Sequence, residues 1–557
     1  MLITRRRLIG TAVAAVGTRW LVPQALAQTL AAAAKLSAQD SLWDVRRFGA
    51  TGDGKTLDTS AVQAAIDACH LAGGGSVHFT TGCTFLIGTI YLKDHVELYV
   101  EPNSTILGSS NLGDYGNDVG LNPFFPETID PCLIYAKNCV DIRLGGDGTI
   151  IGYSADRFTA PAGADDRARK QRPMLIRFES CSQISVVDLT LRRCGSWCLH
   201  LKKSQDITLH NVHIHNEKQD GFDLESCQNV TISDCHLLEC GDDAIAITTS
   251  ARDQPSKNIS ITNCLMHSRW SAIRFGPLSK GDFEDITVSN CVFYDCNGGG
   301  IKLGMFEGAE IRNCLFDNIV MDQVIAPITM FVATWPDIGS TAATPPMMPP
   351  GRIHNLQFSG IRAIAKQQPP NAHPDGNDGL FFHGHPQGLI ENILLRDVSI
   401  TLSGGGTAAQ AARREIVDMD QIDYRKDGYW TDHKTTWGVP PAYGLYARHI
   451  KGLTMENVRF ELREPDARPA VFFSDCEKTR VSDLSASSDP AEAAFITARN
   501  CVGLRLTDVT PQPKTEVLLR LEGVKSYGVV LSGNDPRGFG KPFVCVDGAS
   551  EAEILTR

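Results

Sequence analysis

The sequence predicts an all-β fold, a right-handed parallel β-helix (a solenoid) with an N-terminal capping helix, from two observations. First, five segments alternate apolar, mostly β-branched residues with polar ones, as strands do. Second, these segments recur at similar distances, beginning at Gln183, Asp206, Asn229, Asn258 and Asp285. The steps are 23, 23, 29 and 27 residues. Repeats of this length are typical of solenoids, and no helical pattern separates the segments.

Residues 1–27 are predicted to be an export signal of the twin-arginine type. Arg5, Arg6 and Arg7 precede a modestly apolar run, and small residues near Ala27 are typical of a cleavage site. The alternative is a membrane anchor, but the run is shorter than the roughly 20 residues that span a bilayer. We therefore expect contact with the twin-arginine export machinery, no stable membrane insertion, and a periplasmic or secreted protein.

After a linker over residues 28–40, the capping helix is expected over residues 59–71. Asp58 or Thr59 can cap its N-terminus, and three glycines from Gly73 end it. One apolar face is formed by Val62, Ala65, Ile66 and Cys69. A helix here would cover the open edge of the first coil, which otherwise invites pairing with other chains.

One catalytic solenoid domain is expected over residues 41–535, followed by a tail or cap over 536–557. A solenoid grows without splitting into domains, and 42% apolar residues are enough for a continuous core. Two loop insertions interrupt it, at about 333–350 and 403–440. The first is rich in proline, and the second carries Asp418, Asp420, Asp423, Tyr424, Tyr429, Trp430 and Trp437. Long loops of this kind are often functional.

The 17 cysteines are predicted to be mostly free, although an exported protein often contains disulfides. Cys235, Cys264, Cys291 and Cys314 follow their strands at similar distances, so we expect them to share one register in successive coils. A stacked row of buried thiols fits that spacing better than a disulfide framework. Metal binding is weakly indicated, because no compact Cys-x-x-Cys pair occurs.

Three aspartates form the candidate catalytic site. Asp220 and Asp243 are 23 residues apart, which is one coil, and Asp242 is adjacent. Residues one coil apart lie about 4.8 Å from each other. Three carboxylates this close repel one another, so at least one pKa should rise, and a site can then hold an acid and a base at the same pH.

A row of outward-facing side chains is expected beside these aspartates. One-coil spacing stacks Phe222, Ile245, Ile273 and Ile301 inside the solenoid. The residues that follow them then face out in one row: His200, Asp223, Ala246, Arg274 and Lys302. His200 is either a substrate ligand or a structural member of this row.

The chain resembles glycoside hydrolase family 28, the polygalacturonase family, as a divergent bacterial member. The resemblance rests on Gly146-Asp-Gly-Thr-Ile150, on Asp-Gly-Phe-Asp from Asp220, on Gly-Asp-Asp-Ala-Ile-Ala-Ile from Gly241, and on Pro441 to His449. It implies a right-handed β-helix and inverting hydrolysis without a cofactor or metal. Asp242 would be the general acid, and Asp220 with Asp243 would activate a water. Such inversion needs roughly 6.5–9.5 Å between acid and base carboxyls.

Three motifs depart from that family. The usual Asn-Thr-Asp is Lys218-Gln219-Asp220, the usual Gly-His-Gly has Trp270 in place of histidine, and the usual Arg-Ile-Lys is Gly300-Ile301-Lys302. The catalytic aspartates are kept, whereas the group that clamps a substrate carboxylate is altered.

A substitute clamp can be assembled from the outward row. We expect Arg274 and Lys302 to bind a substrate carboxylate, with Arg274 giving a bidentate contact and Trp270 facing a sugar ring. The alternative is that Arg274 pairs with Asp223 and never meets substrate. Arg448 and His449 either reach the cleft or hydrogen-bond a neighbouring coil. His383-Gly384-His385 is interpreted as loop.

The function expected is an exported glycosidase that cleaves a pectin-like, uronic-acid-containing glycan. A net charge of −11 argues against a nucleic-acid partner, and means that an acidic substrate needs a local basic patch. Two alternatives remain. A polysaccharide lyase would use the aspartates to hold calcium and Arg274 or Lys302 as a base. A non-catalytic solenoid would bind glycans without cleaving them.

Overall fold

The computed structural model describes residues 42–116, 131–153, 155, 158, 172–216, 218–334, 336, 346–366, 379–387, 389–414, 416, 418, 438–487 and 494–557. The predicted export signal and linker lie outside these residues, as do residues 420–437 of the second insertion. None of the helices in the described ranges is long and apolar enough to cross a membrane.

Parallel strands dominate the fold and form two long sheets. A 15-stranded sheet, called here the site sheet, contains Ile90–Tyr91, Cys132–Lys137, Met174–Glu179, Leu199–Lys202, Phe222–Glu225, Ile245–Thr248, Ser271–Phe275, Gly299–Met305, Ile328–Val332, Leu380–His383, Leu445–Arg448, Val471–Ser474, Ala494–Arg499, Thr515–Glu522 and Phe539–Val546. The strands between them pair into a 27-stranded sheet.

The 27-stranded sheet supplies the remaining walls of each coil. Its strands are Leu42–Asp44, Asp53–Leu57, Gly75–Phe79, Thr84–Ile87, Val96–Val100, Thr105–Gly108, Val140–Gly145, Thr149–Ile151, Ser182–Val187, Thr190–Arg192, Gln205–His210, His213–His215, Gln228–Ser233, His236–Cys240, Ser256–Thr262, Leu265–Ser268, Phe283–Ser289, Val292–Tyr294, Glu310–Val324, Arg352–Ala365, Ile390–Leu402, Ile450–Leu462, Arg480–Ser487, Arg505–Thr507, Thr510–Gln512, Val529–Ser532 and Ile554–Thr556. Two α-helices, Thr59–Leu71 and Ala408–Ala411, and four short 3₁₀ helices complete the described elements: Val45–Phe48, Leu112–Asp114, Pro536–Gly538 and Glu551–Glu553.

The predicted register of the coils is confirmed. Phe222 pairs with Ile245, which pairs with Ile273 and then Ile301, and all four are fully buried in the main hydrophobic core. The residues that open the predicted repeats, from Gln183 to Asp285, adopt positive φ angles of 55 to 57°. This left-handed conformation favours asparagine and aspartate, so the residue types at these positions mark the corner of each coil.

The capping helix is confirmed at Thr59–Leu71. Its apolar face joins the main core, and the Gln63 amide exchanges hydrogen bonds of 2.8 and 3.0 Å with the backbone of Tyr91. Gln63 thus pairs with the backbone N–H and C=O groups of Tyr91 at the open edge of the first site-sheet strand. Asp58 stands at the N-cap position, but its carboxylate accepts from the Thr51 and Gly52 amides instead of capping the helix.

Three further predictions need correction. The solenoid does not end at residue 535, because Phe539–Val546 and Ile554–Thr556 each add a paired strand. The thiol row of Cys235, Cys264 and Cys291 exists, but Cys314 pairs with Ile286 inside a strand and leaves that row. His383 belongs to a strand and is not a loop residue. All 17 cysteines are free, as the spacing predicts for most of them.

Candidate active site

The three aspartates meet where two neighbouring site-sheet strands begin. Asp220 precedes Phe222–Glu225, and Asp242 and Asp243 precede Ile245–Thr248. Asp220 Oδ1 accepts a 2.9 Å hydrogen bond from the Asp243 amide, and Asp243 Oδ1 accepts one of 3.0 Å from the Ser271 amide. Each of these two carboxylates is therefore held by a backbone amide of the next coil, which fixes its orientation before any substrate arrives.

The three carboxylates share a small volume. One oxygen of each lies within 4.8 Å of the others, and Asp220 and Asp243 are almost completely buried. The reason for this closeness is the parallel register, which sets neighbouring coils only about 4.8 Å apart. The roughly 6.5–9.5 Å expected for an inverting enzyme is measured between whole acid and base carboxyl groups, so it stays a prediction.

Crowding changes the titration of these groups, as the spacing predicts. Burial, followed by the charges of Asp242 and Asp243, raises the pKa of Asp220 well above its usual value. Burial and the Asp243 charge raise the pKa of Asp242 to about 6, against the opposing effect of Arg274 and Lys302. Asp242 is the most exposed of the three aspartates, and a pKa near 6 suits a group that must donate a proton.

Arg274 makes an ion contact that the sequence analysis did not expect. It lies in the predicted outward row, paired with Ala246 and Lys302. Its Nε makes a close ion contact with Asp243 Oδ2, and the side chain is nearly buried. Among the described ion pairs, the partner of Arg274 is therefore Asp243 and not Asp223, and its contact with a substrate carboxylate stays a prediction.

Lys302 and Trp270 lie together on the C-terminal side of the aspartates. The Lys302 ammonium is 4.8 Å from the centre of the Trp270 ring, at a distance typical of a cation–π contact. Gly298 leaves room for this indole, because a Cβ at residue 298 would lie 2.7 Å from a Trp270 ring atom. The Trp270 that replaces the family histidine is thus accommodated by a glycine one coil later.

Gly300 stands where the family usually has arginine, and packing explains why no side chain is present. A Cβ at residue 300 would lie 2.6 Å from the Pro327 carbonyl oxygen and 2.7 Å from the Met321 sulfur. Real Cβ atoms do not approach backbone this closely. In this chain an arginine at residue 300 would require the next coil to move.

His200 and Asp223 continue the outward row on the N-terminal side. They pair in register, and both are buried. His200 Nε2 lies 3.1 Å from Glu225, which also accepts from Lys202. Burial raises the pKa of Asp223 to about 6 against the effect of His200. For Glu225, the hydrogen bond and charge of His200 outweigh burial and lower the pKa.

Arg448 and His449 are not brought to the aspartates. Their strand lies five site-sheet strands after the one that follows Asp243, which is about 24 Å at the usual strand spacing. Both side chains contact Asp418 instead, at 2.9 and 3.1 Å. They hold a residue of the second insertion, and the register of Leu445–Arg448 explains why they cannot reach the cleft.

Sequence reasoning missed Trp197 and Arg177. Trp197 lies one coil before Asp220, because the Cys198 amide donates to the Asp220 carbonyl, and its ring packs edge-on against His200 at 5.0 Å. Arg177 pairs in register with His200. They lie 23 positions before Asp220 and His200, respectively, so the one-coil spacing could have identified them.

The three aspartates could serve as ligands of a metal ion. The three aspartates are the group of potential ligands that lie close enough together in the described part of the chain. Carboxylate oxygens suit calcium, which takes six to eight oxygen ligands. The Arg274 guanidinium, however, already contacts Asp243 and would repel a cation.

Comparison with known proteins finds a family match within the chain. The sequence profile of glycosyl hydrolases family 28 matches residues 128–368. A probable polygalacturonase of Vitis vinifera is 26% identical over 300 residues, covering 49% of this chain and 59% of that protein. An exo-poly-alpha-D-galacturonosidase of Dickeya chrysanthemi is 22% identical over 419 residues, covering 64% and 68%. The chain thus spans about 59% of the length of the Vitis protein.

The fold is shared with a solved relative. A family 28 exopolygalacturonase of Yersinia enterocolitica superposes with a TM-score of 0.57 at 19% identity, covering 84% of this chain and 78% of that one. This likeness confirms the right-handed parallel β-helix. Residues 128–368, which the family 28 profile matches, contain all three aspartates.

Proposed function

We propose that the chain is a glycosidase that hydrolyses glycosidic bonds in an acidic, pectin-like glycan built from uronic acids. The observation that carries this proposal is the arrangement of the aspartates. Asp220 and Asp243 are each fixed by an amide of the next coil, and Asp242 lies beside them with its pKa raised to about 6. The relatives, named as polygalacturonases, support the substrate class.

The roles follow from protonation and contacts. Asp242 donates its proton to the glycosidic oxygen as the bond from that oxygen to the anomeric carbon breaks. A water attacks the anomeric carbon, and its proton passes to the Asp220–Asp243 pair. Arg274 contacts Asp243 and offsets the charge gathered there. Lys302 supplies a further cation on the C-terminal side, two strands beyond Asp243.

Inversion at the anomeric carbon is the finer part of the proposal. It is supported by the family resemblance and by the two carboxylates available to one water. The alternative outcome is retention of configuration. The anomeric form of the first product, followed by NMR, distinguishes the two outcomes.

Digestion of a panel of glycans tests the function. Polygalacturonate, methyl-esterified pectin, alginate and a neutral glucan are incubated with the protein, with and without a calcium chelator. The proposal predicts new reducing ends from polygalacturonate, chelator-independent cleavage and little action on the neutral glucan. Chelator-sensitive release of an unsaturated product would instead indicate a lyase that uses the aspartates as calcium ligands.

Export is a separate proposal. It is supported by Arg5, Arg6 and Arg7 ahead of a short apolar run. A reporter fused after residue 27 should reach the periplasm only in cells with a working twin-arginine pathway, and Arg6→Lys together with Arg7→Lys should retain it in the cytoplasm. Export of the double variant, or export through another pathway, would contradict this proposal.

A further inference from the structure

Polar atoms without partners are concentrated in the outward row on the N-terminal side of the aspartates. Arg177, His200 and Asp223 follow one another in register, and none is more than 3% exposed. Among the described residues, Arg177 Nε and Nη1, His200 Nδ1 and Asp223 Oδ1 lack a hydrogen-bond partner. Buried polar atoms are nearly always paired, so a run of unpaired ones next to a catalytic site indicates a missing ligand.

Arg177 is the most unusual of these residues. Its one hydrogen bond runs from Nη2 to Glu179 Oε2 and is long, at 3.3 Å. Glu179 also contacts the Lys137 ammonium at 3.4 Å and the Tyr135 hydroxyl at 3.4 Å, so its charge is shared among three donors. The buried guanidinium thus has two donors without a partner and shares one carboxylate with two other groups. This arrangement costs free energy, because hydrogen bonds to a buried charged group are left unmade.

An apolar cluster that contains Tyr135 and Trp197 lies on the same sheet as Arg177. Tyr135, Met174 and Trp197 form a separate apolar cluster outside the main core, against which Tyr91 packs. Tyr135 pairs in register with Arg177, and Trp197 lies one coil before Asp220. A flat aromatic surface beside a cation is the combination that recognises a ring carrying a carboxylate.

The distance to the catalytic aspartates identifies which sugar would be bound. Arg177 lies two strands before Asp223, about 10 Å at the usual strand spacing. That is longer than one sugar ring. A carboxylate that reaches Arg177 therefore belongs to a sugar that is not directly at the cleaved bond.

We propose that Arg177, flanked by Tyr135 and Trp197, forms a subsite for the carboxylate of a uronic sugar one position removed from those at the cleaved bond, on the N-terminal side of the aspartates. Arg177 supplies charged donors, and Trp197 supplies the surface between this subsite and Asp220. The inference rests on the proposed function, since it names how the same groove selects longer acidic chains.

The test compares galacturonate oligomers of increasing length. Arg177→Gln should raise the ratio of KM for the pentamer to KM for the shortest cleaved oligomer tenfold or more, and Arg177→Lys should restore part of it. Arg520→Gln is the matched control, because Arg520 forms the same kind of ion pair, to Glu522 two residues later, at the far end of the same sheet. This control should keep the wild-type ratio.

A second variant separates binding from structure. Glu179→Gln removes the same ion pair but keeps the guanidinium. If Arg177 were only structural, Glu179→Gln and Arg177→Gln would lower the melting temperature alike and leave the KM ratio unchanged, which would overturn the subsite. The subsite predicts that Glu179→Gln keeps the wild-type length dependence while Arg177→Gln loses it.

Binding distinguishes failure of the subsite from failure of the proposed function. If the wild-type protein cleaves no oligomer, calorimetry with pentagalacturonate replaces kinetics. A tenfold or greater loss of affinity in Arg177→Gln but not in Arg520→Gln supports the subsite and defeats only the hydrolase. Equal affinity in both variants and the wild type, or no binding by any of them, overturns the subsite.

Discussion

The outward face of the site sheet has two halves with the same backbone and opposite chemistry. From Arg177 to Lys302 its central row is polar or charged at every position except Ala246. Further along, the same row contains Phe381, Tyr446 and Phe472, which pack with Phe306, Phe331 and residues of the second insertion in a separate apolar cluster. One register thus provides a reactive surface at one end and a packing surface at the other.

The apolar half serves to hold the second insertion. Ile416 lies in the aromatic cluster, Asp418 contacts Arg448, and Arg414 makes hydrogen bonds of 2.8 and 2.9 Å with the buried Glu522. Arg414 also lies 5.2 Å from the centre of the Phe472 ring. The comparison indicates that the solenoid determines where an outward side chain lies, whereas the type of that side chain determines whether the position is polar or packs against the insertion.

The largest effects are expected when one carboxylate of each half is replaced, Asp242 in the polar half and Asp418 in the apolar half. Asp242→Asn should lower kcat about 10²–10⁴-fold on polygalacturonate, since an amide cannot donate the proton, and leave the melting temperature nearly unchanged. Asp418→Asn, in the other half, should do the reverse, because Asp418 anchors the insertion through Arg448 and His449. Steady-state rates and thermal melts of both variants check this. Near-normal turnover of Asp242→Asn would show that the catalytic site is misplaced.

How far the sequence predicts this division depends on the kind of interaction. The register follows from one-coil spacing, because a slip would turn Phe222 or Ile245 out of the core. The positions of Asp220, Asp243 and Lys302 follow from the same spacing. Electrostatic effects on these residues are predictable where the backbone alone brings the charged groups together. The raised pKa of Asp242, caused by burial and the charge of Asp243, is one such case.

Contacts made by long side chains and insertions could not be predicted. Arg274 is in the expected row, but which carboxylate it contacts depends on its rotamer, and it turns to Asp243. Arg448 and His449 lie in a segment that resembles the family, yet their partner Asp418 comes from an insertion whose path the repeat does not encode. A period describes coils and carries no information about segments that leave them.

The next largest effect is expected in the apolar half, on the free energy of unfolding. Phe381→Ala should lower the free energy of unfolding by about 3–5 kcal/mol, because its fully buried ring stacks on Tyr446 at 5.6 Å. Denaturant unfolding measures the change, and kcat below the transition should remain normal. Loss of activity in the folded variant would contradict the division of labour between the halves.

A smaller loss of stability is expected inside the polar half. Gly300→Ala should cost about 1–3 kcal/mol, since the new Cβ would meet the Pro327 carbonyl oxygen at 2.6 Å. Gly73→Ala is a useful control, because a Cβ there meets no atom within 4 Å, although its positive φ adds some strain of its own. Equal melting temperatures for Gly300→Ala and the wild type would contradict this prediction and show that the next coil shifts to make room for the new Cβ at little cost in stability.

The pH dependence should reveal the link between Arg274 and the acid. Burial and the Asp243 charge raise the pKa of Asp242 to about 6, so the protonated acid is retained below pH 6 and lost above it. The rate should fall about tenfold per pH unit beyond that point. Arg274 lowers this pKa, so in Arg274→Gln the fall should begin at higher pH. The measurement is kcat against pH. If kcat of Arg274→Gln begins to fall at the same pH as in the wild type, Arg274 does not influence the pKa of Asp242.

The most direct test of the central claim is the mass of the products from one defined galacturonate oligomer. Hydrolysis by the three aspartates adds one water across each broken bond. Mass spectrometry should therefore find two fragments whose summed mass exceeds that of the substrate by one water, with no such fragments from Asp242→Asn. Fragments whose masses sum to that of the substrate itself would show elimination, and would contradict the assignment of Asp220, Asp242 and Asp243 as a hydrolytic site.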